Sequence, residues 1–127
     1  MSYYSDVKIV LSQEGYRVFE ETLNSLYKQH MESCEASEKI DNPLDTATVT
    51  ISKNRNFCVI VWLSVNWYSY SKKVGLIQQA LEEVYRQNHS YRFGIIGEEF
   101  DDYTFERHDG MEDIPELTLE RSLSLVF

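Results

Sequence analysis

The sequence contains few of the residues that build metal sites, disulfide frameworks and glycine-rich loops. Only two cysteines, three histidines and five glycines occur among its 127 residues. Cys34 and Cys58 stand in no CxxC or Cys/His spacing, so neither structural zinc nor a disulfide is expected. Cys58 lies in the apolar run 57–61, where a buried thiol behaves as a small hydrophobic side chain. This cysteine usage is typical of a reducing compartment.

Long hydrophobic runs are also missing. No apolar stretch approaches the length needed to span a bilayer. The N-terminal residues MSYYSDVK lack the basic and then apolar pattern of a signal peptide. We therefore expect a cytoplasmic protein without membrane association.

Sequence motifs for catalysis are missing as well. His30, His89 and His108 accompany no Gly-x-Ser-x-Gly elbow. Gly94 and Gly97 open no predicted helix and so do not form a phosphate-binding loop. We expect no enzymatic activity and no cofactor.

Basic residues are nearly absent from one segment, residues 98–120, which we call the acidic segment. Arg107 is its only base, and its ten acids give it the whole net charge of −9. The rest of the chain is neutral, and its few grouped bases disfavour direct nucleic-acid binding. The acids are Glu98, Glu99, Asp101, Asp102, Glu106, Asp109, Glu112, Asp113, Glu116 and Glu120.

Hydrophobic periodicity predicts a single α+β domain over residues 1–127, with the element order β-α-β-β-α-β-β-β. Strands in runs with two helices between them favour a mainly antiparallel sheet with both helices on one face. The apolar third strand is expected to be central and covered on both faces. The predicted strands lie near 7–11, 47–52, 57–67, 91–95, 103–106 and 117–125, and the helices near 13–34 and 71–88.

The parity of the last two predicted strands assigns their side chains to the two faces of the sheet. Asp102, Glu106 and Glu120 are predicted to face solvent. Arg121 shares the parity of the leucines, so it either points inward to a carboxylate or turns outward at a bulge. The residues predicted to face the core are Tyr103, Phe105, Leu119 and Leu123.

The segment YRFGIIGEEFDD, residues 91–102, resembles small acidic proteins encoded by phages and prophages. Trp67-Tyr68 before the second helix and Glu120-Arg121-Ser122 fit the same likeness, which covers the chain from Trp67 onward. The longer N-terminal half and Ile95-Ile96, where a more polar pair is expected, depart from it. The resemblance implies an accessory protein without catalysis, one that acts in the host cytoplasm by binding and blocking a host protein.

The acidic segment has two interpretations. Its carboxylates can simply be solvated and protect sheet edges from pairing. Alternatively, they form a surface that competes with nucleic acid for a basic protein groove. Outward positions on a strand recur every ~6.6–6.8 Å, close to the phosphate spacing along one nucleic-acid strand.

Aromatic residues near this segment allow a second kind of binding surface. Core packing is the favoured role of Trp67 and Tyr68, and Phe100 lies among the acids. The alternative is an interface anchor, because interface centres are enriched in aromatic residues.

Our main hypothesis is a non-enzymatic inhibitor or decoy that binds a basic, nucleic-acid-handling host protein through the acidic segment. The alternative is a structural or regulatory interaction module that uses the aromatic residues, with the acids serving solubility. A metal-dependent enzyme is third, because Glu98, Glu99, Asp101 and Asp102 could attract a hard cation, although no calcium-loop motif accompanies them.

Overall fold

In the part of the chain that the structure describes, a five-stranded antiparallel sheet carries two α-helices on one face. The computed structural model describes residues 4–52, 56–68, 71–97 and 103–117. The α+β class and the predicted order of elements are confirmed as far as the fifth strand. The elements are β1 (Ser5–Ser12), α1 (Gln13–Ser33), β2 (Thr48–Ser52), β3 (Phe57–Val65), α2 (Lys72–Arg86), β4 (Tyr91–Ile96) and β5 (Tyr103–His108).

Strand β1 lies at the centre of the sheet, whose order is β2-β3-β1-β4-β5. Ile9 pairs with Ile60 on β3 and with Phe93 on β4, so the three side chains form one row beneath the helices. Val7 and Leu11 face the same way and are fully buried. Alternate positions on one face therefore build the core layer.

Both helices pack an apolar stripe onto this layer. Ser12 caps the N-terminus of α1, because its Oγ accepts a hydrogen bond of 2.9 Å from the Gly15 N–H. Phe19 and Leu23 of α1 and Ile77 of α2 belong to the same buried cluster.

The connection between α1 and β2 contains two short 3-10 helices, at Ala36–Glu38 and Pro43–Thr46. The carbonyl of Pro43 accepts a 2.8 Å hydrogen bond from the indole N–H of buried Trp62. This bond satisfies the polar atom of a large core residue, which would otherwise be costly to bury.

No helix of the described residues packs on the second face of the sheet. Val59 and Val61 on β3 are only half-buried, so the prediction that this strand is covered on both faces is wrong. They line a groove of about 580 Å³ that also contacts Lys8 and Glu116. Burial lowers the pKa of Lys8 to about 8.

The side chains of strand β5 point to the opposite faces of the sheet from those predicted. Glu106 lies opposite Phe93, which faces the helices, so Phe105 and Tyr103 point to the second face. They are 49% and 62% exposed, and their predicted burial is wrong. Glu106 is exposed as predicted, although it lies on the helix side.

The remaining residues of the parity prediction fall outside the described part of the chain. Of the predicted strand 117–125, only Leu117 is described, and it is buried. The predictions that concern Asp102, Leu119, Glu120, Arg121 and Leu123 lie outside the described residues.

Candidate functional site

The candidate site is the described part of the acidic segment. Glu106 lies on β5, and residues 109–117, which we call the acidic arm, follow that strand without regular structure. The arm carries Asp109, Glu112, Asp113 and Glu116. The other predicted partner-binding residues of this segment, Glu98, Glu99, Phe100, Asp101, Asp102 and Glu120, lie outside the described residues.

Arg92 on β4 binds both ends of the arm. Its side chain is only 6% exposed, and its Nη2 donates to Asp109 at 2.8 Å and to Glu116 at 3.4 Å. Its Nη1 donates to the carbonyls of Tyr91 and His108. Nε lies 3.4 Å from a Glu116 oxygen but outside hydrogen-bonding geometry. The guanidinium thus joins two strands and the arm.

Arg107 holds the same two carboxylates from the solvent side. Its Nε lies 3.1 Å from Asp109, and its Nη1 lies 2.6 Å from Glu116. The hydrogen bond from Arg107 is the main cause that lowers the pKa of Asp109, and Arg92 adds to it. Each carboxylate therefore contacts two arginines, and the pKa of Asp109 lies below its ordinary value because of them.

Glu112 anchors the middle of the arm to the turn before β4. Its carboxylate lies 2.6 Å from Nδ1 of His89 and accepts a 3.0 Å hydrogen bond from the Ser90 N–H. The Ser90 hydroxyl donates to the Glu112 carbonyl. Burial alone would raise the pKa of Glu112, but the bonds from Ser90, His89 and Ser12 outweigh burial and lower it.

Gly110 lets the arm approach this turn closely. A Cβ atom built on Gly110 would lie 2.1 Å from the Asn88 carbonyl oxygen, so no larger residue fits without a shift of the backbone. Its N–H donates to the Ser90 hydroxyl at 2.8 Å, and the Met111 N–H donates to the Asn88 carbonyl at 2.9 Å. The arm is thus bonded through its backbone as well as through its carboxylates.

The anchored arm still presents its acids to solvent. Asp109 and Glu116 remain 63% and 60% exposed despite their ion pairs, and Asp113 is exposed as well. The four acids of the arm, set against Arg92 and Arg107, leave two negative charges on this surface. The arrangement is a fixed, negatively charged surface.

The aromatic residues divide between core and surface. Trp67 is half-buried and packs at 6.2 Å from Trp62 and 5.9 Å from Phe93, ring centre to ring centre. Tyr68 is half-buried too. Among the described residues, Tyr103 and Phe105 form an exposed aromatic pair, and their rings meet edge to face at 6.1 Å.

The described residues hold no group of three or more His, Cys, Asp or Glu side chains placed to bind a metal ion. Glu98, Glu99, Asp101 and Asp102, the acids considered for a cation, lie outside those residues. None of the described helices is both long and apolar enough to cross a membrane.

Two anchoring residues, Arg92 and His89, were missed by the sequence analysis. In the sequence, Arg92 is the polar position between Tyr91 and Phe93 of a predicted strand, and His89 lies between that strand and the second predicted helix. The available signal was that Arg92 is a basic residue on a strand with few other charges. Its partners Asp109 and Glu116 lie 17 and 24 positions further along the chain, so the sequence pattern did not identify them. Comparison with protein-family models, with curated proteins and with solved structures gives no match.

Proposed function

We propose that the protein is a non-enzymatic inhibitor or decoy of phage type, which binds a basic, nucleic-acid-handling host protein through the acidic segment. The observation that carries this proposal is the anchored acidic arm. Its carboxylates are held by the buried side chains of Arg92 and His89 and are still open to solvent. The positive groove of a nucleic-acid-binding protein is the complementary surface.

Anchoring matters because of what binding costs. A mobile acidic tail loses conformational entropy when a partner orders it. A segment that only improves solubility needs no buried arginine, no histidine contact and no glycine at a close approach. Arg92, His89 and Gly110 together hold the arm in one position. This favours a role of the arm in partner recognition over a role in solubility alone.

Charge neutralisation tests the proposal. Asp102→Asn/Asp113→Asn removes two charges from the acidic segment with little change of shape. Glu32→Gln/Asp41→Asn is the matched control, because both of these acids are exposed and lie in the neutral part of the chain. Tagged versions of the three proteins capture partners from a bacterial lysate at low and at high salt, with and without added duplex DNA.

The expected result is a basic nucleic-acid-binding protein that the wild type and the control retain at low salt. The neutralised variant should retain it weakly, and high salt or duplex DNA should release it. Capture that is insensitive to salt and to DNA contradicts the decoy function.

The exposed Tyr103–Phe105 pair favours the second candidate, a structural or regulatory interaction module. Strand β5 is at the edge of the described sheet, and aromatic side chains on an edge strand suit a protein interface. Under this alternative, Tyr103→Ser/Phe105→Ser abolishes capture of the partner. Asp102→Asn/Asp113→Asn leaves it unchanged.

A further inference from the structure

A small pocket opens between α2 and the strands β4 and β5, on the helix side of the sheet. Its volume is about 230 Å³. Leu81 and Phe93 supply apolar lining, and the rings of Tyr85 and Tyr91 line it as well. Glu106 from β5 and Glu82 from α2 add the carboxylates. The pocket thus combines aromatic surface with negative charge.

Nearby basic residues of the protein neutralise little of the negative charge of these two carboxylates. The carboxylate of Glu106 makes no ion pair and no hydrogen bond with the described residues. Glu82 lies 3.8 Å from Arg86, and both side chains of that pair are about two-thirds exposed, so the contact is weak. Burial raises the pKa of Tyr91, and the nearby Glu106 and Tyr85 raise it further, as expected in a negative environment.

The aromatic rings are held in place. His108 on β5 packs against Tyr85 at 4.6 Å and against Tyr91 at 5.8 Å, ring centre to ring centre. Its Nε2 lies 3.1 Å from the side-chain oxygen of Asn88, which fixes the imidazole between the two tyrosines. A ligand therefore meets ring surfaces that are already positioned.

We propose that this pocket receives one lysine or arginine side chain of the basic partner, an inference that rests on the proposed function. Aromatic rings attract a cation through their negative faces, and the carboxylates supply the counter-charge. The aliphatic stem of a basic side chain can lie against Leu81 and Phe93. A neutral apolar group would bury carboxylates without a partner, which is unfavourable. An anion would be repelled.

Nuclear magnetic resonance titration with blocked amino acids tests the pocket by itself. The probes are the N-acetyl amides of lysine, arginine and norleucine, the last being an uncharged analogue of lysine. The lysine and arginine probes should shift the backbone amide signals of Glu82, Tyr91 and Glu106 in a saturable way. The norleucine probe should not. Absence of a saturable shift with both basic probes, or an equal shift with norleucine, overturns the inference.

Variants assign the binding to the pocket. Glu82→Gln/Glu106→Gln should weaken binding of the basic probes at least tenfold. Glu32→Gln/Asp41→Asn, which removes the same charge elsewhere, should bind as the wild type does. Tyr85→Leu tests the aromatic contribution, and because Tyr85 is exposed the fold should survive. Its expected loss is about fivefold.

Capture of the partner from lysate separates this inference from the proposed function. If Glu82→Gln/Glu106→Gln captures the partner as well as the wild type does, the pocket does not dock a basic side chain and the inference is wrong. The decoy function would stand in that case, provided that DNA still releases the partner. If the pocket variant loses a partner that DNA does not release, the pocket stands and the decoy function fails.

Discussion

The two faces of the sheet are covered through different kinds of interaction. On the helix side, α1 and α2 cover an apolar layer that contains Ile9, Ile60 and Phe93, and the driving force is burial of hydrophobic area. On the second face, the acidic arm is held by Arg92 and by the contacts of Glu112 to His89 and Ser90. Hydrophobic burial tolerates small shifts, whereas ion pairs and hydrogen bonds require defined positions.

This difference indicates which face carries recognition. The helix face uses nearly all of its apolar side chains internally, so it offers a partner little beyond the pocket at its margin. The second face leaves the carboxylates of Asp109 and Glu116 and the rings of Tyr103 and Phe105 exposed. The second face and the pocket at the margin of the helix face are therefore the surfaces that a partner can bind.

Truncating one phenylalanine on each face gives the largest expected difference. Phe19 is fully buried beneath the helices and Phe105 is half exposed on the second face. Phe19→Ala should lower the free energy of unfolding by about 3–5 kcal/mol, whereas Phe105→Ala should lower it by less than about 1 kcal/mol. Urea denaturation followed by circular dichroism measures both. Equal losses would mean that the second face is as well packed as the first.

Two glycines test the close approach of the arm. Gly110→Ala places a methyl group against the Asn88 carbonyl and should cost about 2 kcal/mol as the arm shifts. Gly75→Ala in α2, where a Cβ meets nothing within 4 Å, should instead stabilise the protein by about 0.5–1 kcal/mol. Thermal and urea unfolding of both variants give the sign. A neutral Gly110→Ala would contradict the anchored position of the arm.

Removing the buried arginine should weaken the second face alone. Arg92→Met keeps an apolar stem, but it leaves two strand carbonyls without this donor and removes one of the two arginines that contact each carboxylate. The expected cost is about 1–2 kcal/mol, because the carboxylates regain water and keep Arg107. Arg107→Met, at an exposed position, is the control and should have a much smaller effect. In amide spectra only the arm and β4–β5 signals should move.

Acid should loosen the second face before the first. The pKa of Glu112 is lowered in the folded protein, so its contacts contribute full stability above the ordinary glutamate pKa. That contribution is lost as the pH falls through the lower, folded value. Glu112→Gln should therefore be less stable at neutral pH and show a shallower decline in acid, with Asp109 supplying the remaining slope. Glu32→Gln should keep the wild-type slope.

The helix face could be predicted because its signals are local. Ser12 caps α1, and the apolar stripes of both helices repeat at helical spacing, so class and element order follow from neighbours in sequence. The parity of β5 could not be predicted in this way. Alternation shows that Tyr103 and Phe105 share a face, but only the pairing with β4 decides which face it is.

The amino-acid composition of residues 98–120 was enough to predict the acidic segment, but it did not predict that the arm is anchored. Residues 109–117 have no periodicity, and their contacts to Arg92, His89 and Ser90 join positions far apart in the chain. Such contacts depend on how β4, β5 and the turn before β4 are placed in space. Sequence reasoning therefore predicted where the charge is concentrated and missed what holds it.

The central position of β1 has a consequence for synthesis on the ribosome. This strand emerges early, yet its two edges pair with β3 and with β4, which ends at Ile96. Until that residue has left the exit tunnel, one edge of the most buried strand has no neighbour, and its long-range pairing delays folding. We therefore expect nascent chains that stall before Tyr91 to require chaperone protection, whereas chains released after β5 fold without it.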